Sequence, residues 1–431
     1  FKEQTMQKSL FRIVILFVAV FVVISSLSGC VKEESQNTSG ISDIFSSSVS
    51  SGNSCGDSAS SDDEMSPNIT SVHRELSSGV VLNADVFIPE NVDFSKLPTY
   101  EGELQRLDVE QVVDLLFSGD TSVTKSEAET NESRFPDAVS TLYESGDGSI
   151  LSSIEDVFSF QSAKCPQIGS YLWLEPSTEY NGDVFLTGKD LSFGSQQECF
   201  QKIRDVLKQL DITVTDEYTC YTIEHETMSR VAQEYRNKMT QQAQEAGVLN
   251  EDGTSMTEDE VMAGFPDPNY TENDDCYYFK IFASVNGFPI TWVENGIVEN
   301  GGFMPGSMIT AIYSKDGIVS LNCSYIYQMK SEKEAVSGLD LEEAISALDS
   351  KYNSVIPDGK YEVEDISFEY VPISEGDSIS VELTPAWRFQ MKHTVEVSKS
   401  DGDKSRAVDL YEYVLINAVT GKEILKDVGT I

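Results

Sequence analysis

Hydrophobic patterning divides the chain into three regimes. Ile13 to Ile24 is one uncharged apolar run behind Lys2, Lys8 and Arg12. Val31 to Asn68 is serine-rich, with Phe45 as its one aromatic residue. Such a stretch buries too little apolar surface to offset its ordering entropy, so it predicts a flexible tether. From Ile69 onward, apolar positions recur with helical or strand spacing.

Val80 to Ile88 predicts a strand ended by Pro89. Asp108 and Gln111 form a capping-box pattern for a helix over Val109 to Phe117. Gly119 to Ser133 is polar and predicts a loop, followed by short strands at Tyr171 to Leu174 and Val184 to Leu186. Ser195 and Glu198 cap a helix that places Phe200, Ile203, Val206, Leu207 and Leu210 on one face. Ile212 to Ile223 alternates as a strand. A second helix over His225 to Ala246 carries Met228, Val231, Ala232, Tyr235 and Met239 as its apolar stripe. Asn250 to Asp275 is acidic and predicts a loop. Strands follow at Tyr277 to Ala283 and Ile290 to Val293, then a hairpin of Met308 to Tyr313 and Ile318 to Tyr327 about Asp316-Gly317.

The order helix, strand, strand, hairpin then recurs. Leu341, Ala344, Ile345 and Leu348 mark a helix over Leu341 to Tyr352. Strands follow at Tyr361 to Val371, Ala386 to Val397 and Leu410 to Asn417, with a turn at Thr420-Gly421 before Lys422 to Val428. This order predicts an α+β fold of tandem helix-plus-antiparallel-sheet modules. The expected boundaries are 1–29 leader, 30–68 tether, 69–194 N-terminal β-rich region, 195–330 first module with a helical insertion, and 331–431 second module.

Charge narrows the function. There are 72 acidic and 30 basic residues, a net of −42. The leader is net positive, so the remainder is more acidic still. Such a surface repels nucleic acid, whose binding needs Lys and Arg to displace counterions. It also repels anionic lipid heads. Acidic faces accept cations or basic partners, and also serve solubility alone. Cys165, Cys199, Cys220, Cys276 and Cys323 show no C-x-x-C spacing and, being an odd set beyond Cys30 and Cys55, argue against a tidy disulfide framework.

A basic lead, an apolar run too short to span a bilayer, and small residues before a cut site describe a secretory signal. Leu27-Ser28-Gly29-Cys30 resembles the lipobox of bacterial lipoproteins. The resemblance implies cleavage between Gly29 and Cys30 and a lipid on the Cys30 thiol. The protein would then sit on the extracytoplasmic face of a Gram-positive cell membrane, held there through that lipid. Two or more acyl chains are needed for stable anchoring.

A second resemblance rests on Leu341-Glu342-Glu343-Ala344-Ile345 and on Ile416-Asn417-Ala418-Val419-Thr420-Gly421-Lys422-Glu423-Ile424. These look like a PepSY module, in which a helix precedes a small sheet ending in such a hairpin. The layout of residues 195–431 also resembles YycH/YycI-type extracytoplasmic regulators and uncharacterised clostridium-like lipoproteins. Those regulators keep a membrane helix where this chain has a lipobox. The resemblance implies no catalytic residues and no cofactor. It implies a non-enzymatic protein that binds or regulates an envelope partner, such as a sensor kinase or a peptidase. A lipoprotein that captures ligand for a transporter, and an envelope hydrolase, are the alternatives.

Candidate chemistry is sparse. His225-Glu226 opens a helix, but a zinc-protease motif needs a second His at 229, which is Ser. A three-His site would consume His73, His225 and His393 together. Gly52-Asn53-Ser54-Cys55-Gly56 fits a nucleophile-elbow string but lies in the tether, without the strand-to-helix turn that chemistry needs. Asp401, Asp403, Ser405, Asp409 and Glu412 take positions 1, 3, 5, 9 and 12 of a calcium loop. Arg406 replaces the glycine at position 6, so a solvated hairpin turn is the stronger expectation. Trp173, Trp292 and Trp387 are candidates to line a sugar or peptide groove, against the ordinary role of strand tryptophans as core.

Overall fold

A computed structural model describes residues 70–89, 92–117, 122–130, 133, 135–169, 185–246, 269–293, 296–297, 303–304, 306–354, 359–374, 379–397 and 406–424. All of them belong to one compact unit, Ile69–Val428. Cys30 and the tether, Trp173, Asp401, Asp403 and Ser405 lie outside the described residues.

The chain begins with β1 (Thr70–Glu75), β2 (Val81–Phe87) and β3 (Tyr100–Leu104). Helix α1 (Val109–Leu116) leads to β4 (Thr124–Glu129), β5 (Val139–Glu144), β6 (Ile150–Ser153) and β7 (Val157–Gln161). The short α2 (Cys165–Gly169) and β8 (Leu186–Thr187) precede α3 (Gln196–Gln209), β9 (Val214–Ile223) and α4 (His225–Ala246). Next come β10 (Cys276–Val285), β11 (Phe288–Pro289), β12 (Gly296–Ile297), β13 (Phe303–Met304), β14 (Met308–Ser314), β15 (Gly317–Ser324) and β16 (Tyr327–Glu332). The last described elements are α5 (Leu341–Asn353), β17 (Lys360–Ile373), β18 (Ser380–Val397), β19 (Arg406–Asn417) and β20 (Glu423–Ile424).

All of these strands but β12 and β13, which pair with each other, fall in two large sheets, so the expectation of tandem helix-plus-sheet modules is corrected to a mostly β fold. One sheet runs β1-β2-β17-β18-β19-β20, with β3 beside β18 and β16 beside β3. The other runs β4-β5-β6-β7-β15-β14-β10-β9-β8, with β11 beside β10. The reason is long-range pairing that local pattern does not encode. β2 lies parallel to β17, with Val86 in register with Ile366, and β3 pairs with β18. β7 pairs with β15, with Phe160 opposite Leu321. Early and late segments therefore share both sheets, and neither repeat closes on itself. β4 also overturns the expected polar loop. All six of its residues are exposed at a sheet edge, where no apolar alternation is required.

The helices follow their sequence signals closely. Ser195 accepts from the Glu198 amide at 3.2 Å while the Glu198 carboxylate accepts from the Ser195 amide at 2.9 Å. Asp340 and Glu343 form the same reciprocal cap on α5, each bond at 3.0 Å. Each such cap stabilises its helix by about 1 kcal/mol. At α1 only half the box forms. The Asp108 side chain accepts from the Gln111 amide, but the Gln111 side chain donates instead to the Gln209 carbonyl at 2.6 Å. Phe200, Ile203 and Leu207 of α3 bury against the face of β10 that carries Tyr277, Phe279 and Ile281. Ala344, Ile345 and Leu348 of α5 join the same core, as do Phe368 and Tyr370 of β17 and Trp387 and Phe389 of β18. Each large apolar side chain buried this way contributes about 1.5–3 kcal/mol. On the opposite face of β10, Cys276 and Tyr278 meet Met228 and Ala232 of α4 in a smaller cluster.

Two local devices shape the strands. The β14–β15 turn is Lys315-Asp316, with the positive φ of +106° on Gly317 at the head of the return strand. That is the glycine-bulge form of hairpin rather than a mirror-image turn. Pro385 sits inside the long β18 where its neighbour changes from β3, paired through Leu383, to β19, paired from Ala386. A proline removes no ladder bond on that side.

Candidate functional site

The two sheets meet at a seam after β11. Ile290 forms a parallel bridge to Tyr370, the Thr291 amide donates to the Tyr370 carbonyl at 2.8 Å, and the Ser307 amide donates to the Thr291 carbonyl at 2.9 Å. Gly306 is required here by close approach. An added Cβ would lie 2.5 Å from the Val293 carbonyl oxygen and 2.8 Å from that of Thr291.

Strand alternation aims polar side chains at this seam. Ile366, Phe368 and Tyr370 face the core, so Ser367 and Glu369 face the other way. Trp387 and Phe389 face the core, which turns Arg388 to the same side as Glu369. Glu369 is 1% exposed. Its carboxylate accepts from Thr291 Oγ1 at 2.5 Å, from Ser367 Oγ at 3.2 Å and from Arg388 Nε at 3.3 Å. Arg388 Nη2 also reaches Asp365 Oδ1 at 2.5 Å, and its guanidinium lies 5.6 Å from the Tyr413 ring centre. The two carboxylates hold the guanidinium above its already high range, against the burial that would lower it.

Lys280 enters from β10, flanked in register by Thr219 and Thr310. Its Nζ sits 3.7 Å from the centre of the Trp292 ring. Burial comes first in pushing its amine down to about 7, and the Arg388 charge adds to it, while Glu369 and Asp365 pull the other way. A cation–π attraction to Trp292, about 0.5–2 kcal/mol, favours the charged form and offsets part of the depression. The amine is therefore held below the ordinary lysine range. The arrangement places an amine beside a fixed Arg–carboxylate set.

Of the three tryptophans expected to line a groove, Trp173 lies outside the described residues and the other two are buried. Trp387 is fully buried, stacked on Phe94 at 5.5 Å with its Nε1 donating to the Leu339 carbonyl at 3.0 Å. Trp292 is 6% exposed, with Nε1 donating to the Ile281 carbonyl and its ring covered by Lys280. Neither presents a ring to a ligand. The calcium-loop pattern ends in strand: Arg406–Asn417 is extended, with Asp409 in register with Thr394 and Glu412 with Met391. Glu412 instead accepts from the Tyr352 hydroxyl at 2.9 Å.

The three histidines stay apart in role. His73 shares a 2.8 Å hydrogen bond with Asn83, and His393 stacks on Tyr361 at 4.0 Å. His225 Nδ1 meets Asp275 Oδ1 at 2.8 Å, and the same oxygen accepts the His225 amide at 2.7 Å, capping α4 from the residue that precedes β10. Ser229, which stands where a second zinc ligand would be, accepts from the Tyr270 amide at 3.3 Å. Among the described residues no group of His, Cys, Asp and Glu is placed to hold a metal. The five cysteines of the unit are free and buried. Burial raises the thiols, Cys199 to about 11 and Cys165 to about 12. A shallow hollow of about 550 Å³ beside α3 is lined by Phe193, Gln197, Glu198, Gln201 and Lys202, an ordinary solvated helix face.

The seam residues carry a sequence signal that pattern reading passed over. Lys280 interrupts Tyr277-Tyr278-Phe279 and Ile281-Phe282, and Arg388 stands between Trp387 and Phe389. A charge inside an aromatic strand must be paired or shifted in pKa.

No family model matches the chain, and no curated protein matches it. Among solved structures it is similar to an uncharacterized protein from Eubacterium rectale ATCC 33656. Identity is 17%, the TM-score is 0.57, and the match covers 79% of this chain and 90% of that one. The likeness is one of fold.

Proposed function

We propose that this protein is a lipid-anchored, non-catalytic binding protein of the extracytoplasmic face, and that it engages a partner protein of the cell envelope. The observation that carries the reading is the order of segments. A basic apolar leader ends in Leu27-Ser28-Gly29-Cys30, a serine-rich stretch follows, and the folded unit starts as β1 at Thr70. The lipid on Cys30 supplies membrane attachment that a net charge of −42 opposes. The same charge suits a partner face rich in Lys and Arg, which it steers toward the anchored unit.

The anchor is tested by growing cells on a clickable fatty acid. The wild-type chain takes up label in the membrane fraction, and Cys30→Ala leaves it unlabelled. Label retained by Cys30→Ala sinks the anchor reading.

A further inference from the structure

Strand β4 ends one of the two large sheets. It pairs with β5 in unbroken register from Thr124 opposite Glu144 to Glu129 opposite Val139, and among the described residues no strand pairs with its other edge. All of its side chains are exposed. Natural sheet edges are commonly blunted by a proline, a bulge or a very short strand. β4 has none of these, so the amides and carbonyls it turns away from β5 form a row that one more strand can join.

The side chains decide what that strand carries. Lys125, Glu127 and Glu129 alternate onto the face shared with Tyr143, Thr141 and Val139. Thr124, Ser126 and Ala128 make the other face, small and uncharged. The Lys125 ammonium is already committed. Its Nζ lies 2.7 Å from Glu110 Oε1 of α1 and 2.9 Å from Glu127 Oε1, and the Tyr143 hydroxyl donates to the same Glu110 oxygen at 2.7 Å. Glu110, Glu127 and Glu129 thus stand against one cation, and Glu129 has no ion pair among the described residues. A second copy of this chain brings the same net charge of −42 to the edge, whereas a basic strand sets opposite charges across it.

We propose that the outer edge of β4 receives an extended segment of the partner protein as an added strand, with lysine or arginine at alternate positions set against Glu127 and Glu129. Main-chain bonds supply the affinity and the alternate basic side chains supply the selectivity. The proposal rests on the partner reading above and gives that reading a surface and a chemistry.

Amide exchange on the whole protein tests it with no envelope partner present. The probe is a peptide of alternating lysine and threonine, and the control is one of alternating glutamate and threonine, at about 0.1 M salt. An added strand bonds only the amides turned away from β5, so every second amide from Thr124 to Glu129 is expected to slow about tenfold or more with the lysine peptide. The glutamate peptide is expected to slow none. Glu127→Lys/Glu129→Lys should abolish the protection, and the milder Glu127→Gln/Glu129→Gln should weaken it. Glu332→Lys/Glu334→Lys, the same spacing on exposed positions of the other sheet's β16 and beyond, should keep it. The proposal is overturned if the lysine peptide protects no β4 amide, or protects them equally in Glu127→Lys/Glu129→Lys. Alternate protection that appears without peptide and grows with protein concentration assigns the edge to a second copy, and overturns it too. Each of these failures refutes a basic strand at β4 while the partner reading is still decided separately, by crosslinking in membranes.

Discussion

Thr291 and Glu369 meet across the junction of the two sheets, with Thr291 Oγ1 donating to Glu369 Oε1 at 2.5 Å and both residues almost fully buried. One side chain thereby ties the segment that follows β11 to the middle of β17. Glu369 also balances Arg388, so the contact joins a hydrogen-bond network to a charge pair.

Removing that charge should cost more than removing the pair. Glu369→Gln leaves the Arg388 guanidinium short of an anion in a site where it is 11% exposed. Breaking a buried pair from one side destabilises by about 3–5 kcal/mol, whereas replacing both partners by apolar groups is far milder. Urea unfolding of Glu369→Gln and of the double variant Glu369→Leu/Arg388→Met checks this. The double variant is expected to be the more stable of the two.

Gly306→Ala should destabilise through backbone, not side-chain, crowding. The new methyl would meet the carbonyl oxygens of Val293 and Thr291 and the carbonyl carbon of Trp292, none of which can rotate aside. Overpacking of this kind costs about 1–3 kcal/mol. Thermal unfolding should show a lowered Tm. Ala in place of Gly317 should also destabilise, through its φ of +106° rather than through crowding, since nothing lies within 4 Å.

Much of the local structure is legible in the sequence, and the capped helices show why. Ser195 with Glu198, and the apolar spacing of Phe200, Ile203 and Leu207, are short-range signals that tertiary context reinforces. The sheet order is not legible. The parallel match of Val86 with Ile366 and the pairing of Phe160 with Leu321 join residues far apart in sequence, and alternation says nothing about which neighbour a strand takes. β4 shows the other limit, since a fully exposed edge strand reads as loop. At the seam, Lys280 and Arg388 stand out only once alternation is read for the charge that breaks it.

The His225–Asp275 contact predicts a pH dependence of stability. The hydrogen bond that the imidazole donates to Asp275 comes first in raising it above its ordinary value, and nearby acidic charge adds to it. A raised folded-state value means that the contact's contribution is full below the unfolded value near 6.5. It is lost as pH rises through the folded value. Wild type should therefore lose stability relative to His225→Gln across that window on going alkaline. Urea unfolding at a series of pH values measures the difference, and a flat difference contradicts the coupling.

The five buried thiols predict silence in the folded state. Cys165, Cys199, Cys220, Cys276 and Cys323 are enclosed, and burial holds each in the unreactive protonated form. Mass spectrometry after alkylation should find these positions unmodified in native protein and modified after denaturation.

Crosslinking in intact membranes tests the central claim, that the anchored unit serves a partner protein. A photoreactive side chain is placed in turn on exposed positions of β1 and β4, and the adducts are identified. One envelope protein, captured from both positions and lost in Cys30→Ala, is the result expected. Adducts that do not change when Cys30 is replaced, or none above the unirradiated control, would contradict it.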